Sequence, residues 1–261
     1  MSPKEALELE IMENGMQFDE VIGKWRVKYP FLQDPNVLSN NFNRVLKMQE
    51  KTERKIAQAG LVDSCNEVFG KMVKLGALSE IGHAELHTWE GPTHYLPIQV
   101  VINLHSVTTP YRLVTNSSLA DPETGLSLNS ILAKGPMALN DTWDITIRFR
   151  HGEYGLSADI SKAYYQMKTG VLEKHCRRVL WRYGQVGTPW RIFGFEVVSM
   201  GDCCAACLME LTKRGTCEKF QNIDPVASKK IIDNSFVDDI SLAGSKSECL
   251  DSRELWILTP V

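Results

Sequence analysis

The 261-residue sequence lacks several features that would assign it to a specialised class of protein. It contains no run of about eighteen apolar residues, the length that a helix needs to cross a bilayer, so we expect no membrane partner. It contains no evident internal repeat and no Gly-x-Ser-x-Gly motif, so nothing indicates a serine hydrolase. It also lacks an excess of positive charge: the net charge of −3 does not by itself indicate a nucleic-acid-binding protein.

Signals of secretion and of structural metal are also missing. Residues 1–20 carry six acids and one lysine, so we expect no secretory or mitochondrial leader. Seven irregularly spaced cysteines predict reduced thiols in the cytosol or nucleus. The single Cys-x-x-Cys, from Cys204 to Cys207, is only half of a tetrahedral zinc set, and His83 and His87 lack the glutamate of a zinc peptidase motif. We therefore expect buried thiols and no zinc.

Positive charge is concentrated in one segment, residues 168–191. Six basic residues lie there against the single acid Glu173, which gives a local charge of 6 − 1 = +5: Lys168, Lys174, Arg177, Arg178, Arg182 and Arg191. A local patch of this kind can hold a polyanion even on an acidic protein. The alternative interpretation is an ordinary solvated face.

The first 80 residues have mainly helical patterns. Ser2-Pro3-Lys4-Glu5 is a capping box with proline at the first helical position, and Ser64-Cys65-Asn66-Glu67 has the form of a second capping box. Apolar residues recur at helical spacing over 38–56, while Lys47, Lys51, Arg54 and Lys55 lie mostly off that stripe. Residues 25–35 are expected to be irregular because of their prolines.

Strand patterns begin after Trp89. Residues 97–103 and 111–115 predict a hairpin around a Thr-Thr-Pro turn. Further strands are expected at 156–160, 179–183 and 190–195, and helices within 137–149, 202–220 and 224–232. The chain therefore belongs to the α+β class, with a helical N-terminal region.

Two adjacent carboxylates, Asp238 and Asp239, lie at the predicted turn of a hairpin over residues 235–241. Taken alone, such a pair indicates a solvated turn. Asp159, however, ends the predicted strand 156–160, and if these strands pair, three carboxylates gather at one sheet edge. Such a cluster keeps its charge only with bound cations, and its hard oxygen ligands suit Mg²⁺ or Mn²⁺. Two such ions could support an in-line phosphoryl displacement.

These residues resemble the two aspartate motifs of reverse transcriptases, and the resemblance is specific to the polymerase of Bel/Pao-type long-terminal-repeat retrotransposons. The motifs occur in that family's order over roughly residues 25–250: Tyr95-Leu96-Pro97, Thr108-Thr109-Pro110-Tyr111-Arg112-Leu113-Val114, Ser127-Leu128-Asn129, Lys134-Gly135-Pro136, Arg148-Phe149-Arg150, Ala158-Asp159-Ile160-Ser161-Lys162-Ala163-Tyr164-Tyr165-Gln166-Met167, Leu180-Trp181-Arg182, Met200-Gly201-Asp202 and Phe236-Val237-Asp238-Asp239-Ile240. Each short motif is weak, whereas the ordered set is specific.

The resemblance implies the fold and the site. It implies the fingers and palm of a right-hand polymerase, with an antiparallel palm sheet backed by helices. The implied divisions are a helical region at 1–85 leading into the fingers, fingers at 86–155, palm at 156–250 and an unmatched tail at 251–261.

The resemblance also implies a role for each candidate site residue. Asp159, Asp238 and Asp239 would be catalytic and would hold two Mg²⁺ ions, or Mn²⁺, with the Ile160 carbonyl as a possible further ligand. Three other residues would contact the incoming nucleotide or the template: Arg112 the triphosphate, Tyr164 the 2′ position of the sugar and Gly201 the nascent base pair. Surface arginine, buried tyrosine and loop glycine are the respective alternatives.

The implied activity is RNA-directed DNA polymerisation on an RNA or DNA template–primer with deoxynucleoside triphosphates. A full-length Pol polyprotein would add ribonuclease H and integrase regions, in a cytoplasmic virus-like particle or in the nucleus.

The chain departs from the family at several positions. The strand before Thr108 lacks the usual lysine, Thr115-Asn116 replaces Phe-Asp, and Cys203-Cys204 replaces a basic residue and proline. About ten residues follow Leu250 without resembling the thumb. The alternative is therefore a catalytically inactive remnant, or a domesticated protein that binds nucleic acid or a partner.

Overall fold

The computed structural model describes residues 1–103, 105–106, 110–136, 139–247 and 249. The chain divides into two compact units. The first unit combines Met1–Val27, Lys134–Lys168 and the described part of Cys204–Val261, and the second combines Lys28–Ala133 with Thr169–Cys203. Both contain helices and short strands, so the predicted α+β class is confirmed.

The elements follow one another along the chain as follows. In the described residues the helices are α1 (Pro3–Asn14), α2 (Phe42–Gln58), α3 (Val62–Lys74), α4 (His83–Thr88), α5 (Thr142–Arg150), α6 (Val171–His175), α7 (Ala205–Phe220) and α8 (Pro225–Asp233). The strands are β1 (Met16–Asp19), β2 (Lys24–Val27), β3 (Leu78–Glu80), β4 (Ile98–Ile102), β5 (Tyr111–Thr115), β6 (Tyr154–Asp159), β7 (Met167–Lys168), β8 (Arg178–Trp181), β9 (Arg191–Phe195), β10 (Ser235–Phe236) and β11 (Asp239–Gly244).

Some local predictions are confirmed and others are wrong. The Ser2 hydroxyl accepts the Glu5 amide at 3.2 Å and the Glu5 carboxylate accepts the Ser2 amide at 2.7 Å, which is the predicted capping box. Residues 25–35 are not wholly irregular, because β2 pairs with β1 and stacks Trp25 edge-on against Phe18.

The second predicted capping box is wrong. Gly60 adopts a left-handed φ of 68°, so the chain turns directly from α2 into α3, and α3 begins at Val62 with Leu61 as its cap. Ser64 therefore lies inside the helix. The predicted Thr108-Thr109 turn, the first two residues of the 137–149 segment and the 251–261 tail lie outside the described residues.

The first unit contains two three-stranded sheets. In the order β10–β11–β6 every neighbouring pair is antiparallel, and α5 and α8 pack on β11. In the order β1–β2–β7 the first pair is antiparallel and the second is parallel. The antiparallel sheet positions the acidic residues.

The second unit contains the antiparallel sheet β3–β9–β8 and the predicted hairpin β4–β5. Its aromatic core stacks Phe69 on Trp181, with ring centroids 4.9 Å apart, and places Phe193 edge-on to the same ring of Phe69. In the described part of the chain, no helix combines the length and the apolar content that spanning a bilayer requires.

Candidate active site

The acidic residues meet across two neighbouring strands of the first unit. Asp239 on β11 is the direct partner of Asp159 on β6. Along β11, Ile240 and Leu242 are buried while Asp239 is exposed, so the pair occupies the solvent face of the sheet. The opposite face carries the apolar side chains into the core. Two like charges held directly opposite each other repel, because directly paired residues have Cβ atoms about 5 Å apart.

The turn that carries Asp238 has an unusual backbone. Val237, which precedes it, has a φ of 54°, in the left-handed region that β-branched residues avoid. Two hydrogen bonds hold this conformation: the Ile160 amide donates to the Asp238 carbonyl at 3.0 Å, and the Lys213 ammonium donates to the Val237 carbonyl at 3.2 Å. A strained backbone persists only where its surroundings impose it, and such positions cluster at functional sites.

The electrostatics of the turn reflect the gathered acids. Partial burial, together with the charges of Asp238 and Asp239, raises the pKa of Asp159. Among the described residues, no lysine or arginine forms an ion pair with any of the three aspartates.

The donor chemistry fits a divalent metal ion, since three hard carboxylate oxygens are what Mg²⁺ or Mn²⁺ prefers. In the part of the chain that the structure describes, however, no three carboxylate, imidazole or thiolate groups are already arranged as a metal-binding set. The backbone register nevertheless brings Asp159 and Asp239 opposite each other at the end of the sheet that adjoins Asp238.

The next two candidate residues adjoin the aspartates. The Ile160 carbonyl accepts the Ala163 amide at 3.1 Å and retains one lone pair for a further contact. Tyr164 lies in a short 3₁₀ helix, Ala163–Gln166, and is half-buried. Burial and the charge of Asp238 raise the pKa of Tyr164, which indicates that its phenol lies within electrostatic reach of the acidic turn.

The remaining candidates belong to the second unit. Arg112 lies on β5, on the exposed face of the β4–β5 hairpin. Gly201 lies in a turn that approaches the end of that strand so closely that an added Cβ would be 2.7 Å from the Thr115 carbonyl oxygen. This packing is a structural reason for glycine at that position. The predicted contacts with nucleotide and template stay predictions.

No protein-family model and no curated protein matches this chain.

Five of the six cations in the predicted +5 segment are buried or ion-paired. Arg177 and Arg178 are buried, and the Arg177 guanidinium donates to the Tyr29 hydroxyl, the Thr169 hydroxyl and the Val197 carbonyl, each at 2.7 Å. Three others form ion pairs inside the second unit: Lys174 with Glu85 and Glu196, Arg182 with Glu53, and Arg191 with Glu80. Acids distant in sequence therefore neutralise much of this segment, and the expectation that it holds phosphates stays a prediction.

Sequence reasoning also missed two buried ionic groups. In the first unit, Lys213 lies 2.6 Å from Glu210, and both side chains are almost fully buried beside the acidic turn. In the second, Asp202 accepts hydrogen bonds from Tyr29 and from Ser117, the latter at 2.5 Å, and so anchors the turn that contains Gly201. Lys213 carried no usable signal, because Arg214 follows it directly and the two adjacent cations look alike in the sequence.

Proposed function

We propose that this chain comprises the fingers and palm of an RNA-directed DNA polymerase of the Bel/Pao retrotransposon type. The observation that carries the proposal is the pairing of Asp159 with Asp239, which lie 239 − 159 = 80 positions apart and face each other on the exposed side of an antiparallel sheet. Without a ligand this arrangement opposes folding, because like charges directly opposite each other are destabilising. A bound cation would neutralise these charges, so a cation-dependent reaction would account for the arrangement.

Asp159, Asp238 and Asp239 would hold two divalent ions. When bound, the ions would supply a Lewis acid for the primer 3′-hydroxyl and charge neutralisation for the departing pyrophosphate. The carboxylates would set where the ions bind, since Asp159 and Asp239 share one face of the sheet and Asp238 lies at the adjoining turn. The products would be a primer longer by one nucleotide and free pyrophosphate.

The left-handed Val237 supports a functional turn over an ordinary one. A β-branched residue at a φ of 54° costs stability, and the Lys213 and Ile160 hydrogen bonds maintain that conformation. An unconstrained solvated turn would place glycine or asparagine here.

The other candidate residues receive roles within the same reaction. Arg112 would bind the triphosphate of the incoming deoxynucleotide, because a guanidinium matches phosphate oxygens. Tyr164 would crowd the 2′ position, and Gly201 would allow the template side to approach. The substrates would be an RNA or DNA template–primer in the cytoplasm or nucleus, within a longer Pol that supplies ribonuclease H and integrase.

A non-catalytic nucleic-acid-binding or partner-binding protein is the second candidate. It is favoured by the specific observation that, in the described residues, the three carboxylates do not form a metal-binding set. Such a protein would retain the sheet and lack the reaction.

One experiment separates the two candidates. The full 261-residue chain is assayed for extension of a DNA primer on an RNA template with Mg²⁺ or Mn²⁺, beside Asp238→Asn. The matched control is Asp233→Asn, which removes one exposed carboxylate that pairs with Lys229 outside the turn. The polymerase predicts extension by the parent and the control and loss in Asp238→Asn. No extension by the parent, or equal extension by all three, would refute it.

A further inference from the structure

Helix α2 carries a row of cations on its solvent face. Lys47, Lys51, Arg54 and Lys55 are spaced at i, i+4, i+7 and i+8, which places them on one side of an α-helix. All four side chains are exposed. We call these four residues the α2 basic face. They lie outside the predicted basic segment in the sequence and do not stand out in the net charge.

The packing of α2 fixes this face outward. Val45, Gln49 and Ile56 are buried on the opposite side, and Val45 belongs to a core cluster with Tyr95 and Leu180. Rotating the helix would expose these residues, so the basic face points permanently to solvent in the second unit. Because the positions are preset, little ordering of the backbone would accompany binding.

The charges of the α2 basic face are not neutralised within the described residues. Its four members form no ion pair there. Of the neighbouring acids on the helix, Glu53 pairs with Arg182. One acid of α2 is therefore already neutralised by another element, while its cations accumulate on the solvent face.

We propose that the α2 basic face binds the sugar–phosphate backbone of a nucleic acid. From Lys47 to Lys55 the helix advances about 12 Å, comparable with the screening length of about 8–10 Å at physiological salt, so the four charges act together on a polyanion. Three of the four are lysines, which bind phosphate as point charges and do not read base edges in a fixed geometry. The inference rests on the proposed function only in taking the template–primer as the ligand.

The composition of the face argues against other anionic partners. A membrane-surface helix must insert an apolar side, and the apolar side of α2 is already packed in the core. A protein–protein interface is centred on buried aromatic or aliphatic anchors, and the α2 basic face contains none. A regular row of lysines and one arginine matches repeated phosphates instead.

The test measures binding without catalysis. Fluorescence anisotropy follows the full chain binding a labelled single-stranded RNA and an RNA–DNA duplex, without divalent metal, from 50 to 200 mM KCl. The variant is Lys47→Gln with Lys51→Gln and Lys55→Gln, since glutamine keeps helix propensity. The control changes the same amount of charge on exposed lysines elsewhere: Lys4→Gln, Lys71→Gln and Lys229→Gln.

The α2 basic face predicts a loss of at least about tenfold in affinity for the triple variant at 100 mM KCl. It also predicts that the slope of log affinity against log salt becomes shallower by about 2, or 0.7 for each of three phosphate contacts on single strands. The control should stay within about threefold of the parent. Equal losses in both variants, an unchanged slope, or a parent that binds neither nucleic acid would overturn the proposal.

Two further arms keep this proposal separate from the polymerase. Binding to phosphatidylserine vesicles that is lost in the triple variant, with RNA binding unchanged, would overturn the inference in favour of a membrane ligand. A parent that binds RNA through α2 but never extends a primer would support the inference and refute the polymerase. A triple variant that extends primers with an unchanged KM for template would support the polymerase and overturn the inference about the α2 basic face.

Discussion

Replacing Asp239 with asparagine should stabilise the protein when no divalent metal is present. Asp239 lies directly opposite Asp159 on an exposed sheet face, and directly opposed residues have Cβ atoms about 5 Å apart. Two unit charges at about 5 Å in a water-like medium repel by about 0.8 kcal/mol. Because both groups are exposed, solvent screening keeps the gain near or below that value. We expect Asp239→Asn to raise the free energy of unfolding by about 0.5–0.8 kcal/mol.

Magnesium should reverse the order of stability. A ligand at about ten times its Kd stabilises the folded state by about 1.4 kcal/mol, and this gain requires the carboxylates that hold it. The parent protein should therefore become more stable than Asp239→Asn once Mg²⁺ is added. Urea unfolding followed by circular dichroism, with EDTA and then with Mg²⁺, measures both free energies on the same samples.

The pH dependence gives a second readout, to which the partial burial of Asp159 contributes first and the charges of Asp238 and Asp239 contribute next. The pKa of Asp159 is raised above its ordinary value of 3.8, so the folded state binds more protons than the unfolded state between that value and the raised one. Stability from this group is therefore lost as pH rises through that window. The loss of stability with rising pH should be smaller in Asp239→Asn. The difference between parent and variant separates the contribution of the Asp239 charge from that of the other carboxylates. A less stable variant in EDTA, or equal stabilisation of both proteins by Mg²⁺, would refute the reasoning.

Three further substitutions test the supports of the site by urea unfolding. Lys213→Met should lower the free energy of unfolding by about 3 kcal/mol, because it leaves the buried Glu210 without its lysine. Arg214→Gln removes a half-exposed partner of the same carboxylate and should lower the free energy of unfolding by less than about 1 kcal/mol. Val237→Gly should raise stability by about 0.5–1 kcal/mol by relieving the left-handed φ, and a destabilised variant would contradict the strain. Gly201→Ala should lower stability by about 1–3 kcal/mol, because its Cβ meets a backbone carbonyl at 2.7 Å, and a neutral effect would contradict that close approach.

Local signals predicted those parts of the fold that local chemistry determines. The capping box at Ser2, the hairpin β4–β5 and the helix that begins at Pro225 after the Asp224 cap all depend on neighbours within a few residues. The strands β1 and β2 escaped prediction because each is four residues long and gains its stability from the pairing of Phe18 with Trp25.

Local signals also predicted only part of the candidate site, because the site is assembled from segments that are distant in the sequence. The motifs identified the three aspartates. The pairing of β6 with β11, however, is a tertiary contact, and the spacing of the motifs in the sequence does not predict it. The contact of Lys213 with the Val237 carbonyl joins a helix to a turn 24 residues away and left no local signal.

A charge sum along the chain does not show where the cations lie in the fold. Five of the six cations of 168–191 are buried or paired with acids from other segments, while those of α2 come together only when the helix forms. Ion pairs formed in the folded structure decide which cations are available to a ligand, and a charge count along the sequence does not show these pairs.

The central claim is tested most directly by incorporation of a single nucleotide. The full chain is mixed with a DNA primer on an RNA template, Mg²⁺ and one deoxynucleoside triphosphate at a time, beside Asp159→Asn. The account predicts that only the complementary nucleotide is added, that one pyrophosphate is released for each addition, and that Asp159→Asn loses at least about a thousandfold in rate, or about 4 kcal/mol of transition-state stabilisation. Extension that ignores the template, or that survives in Asp159→Asn, would contradict it.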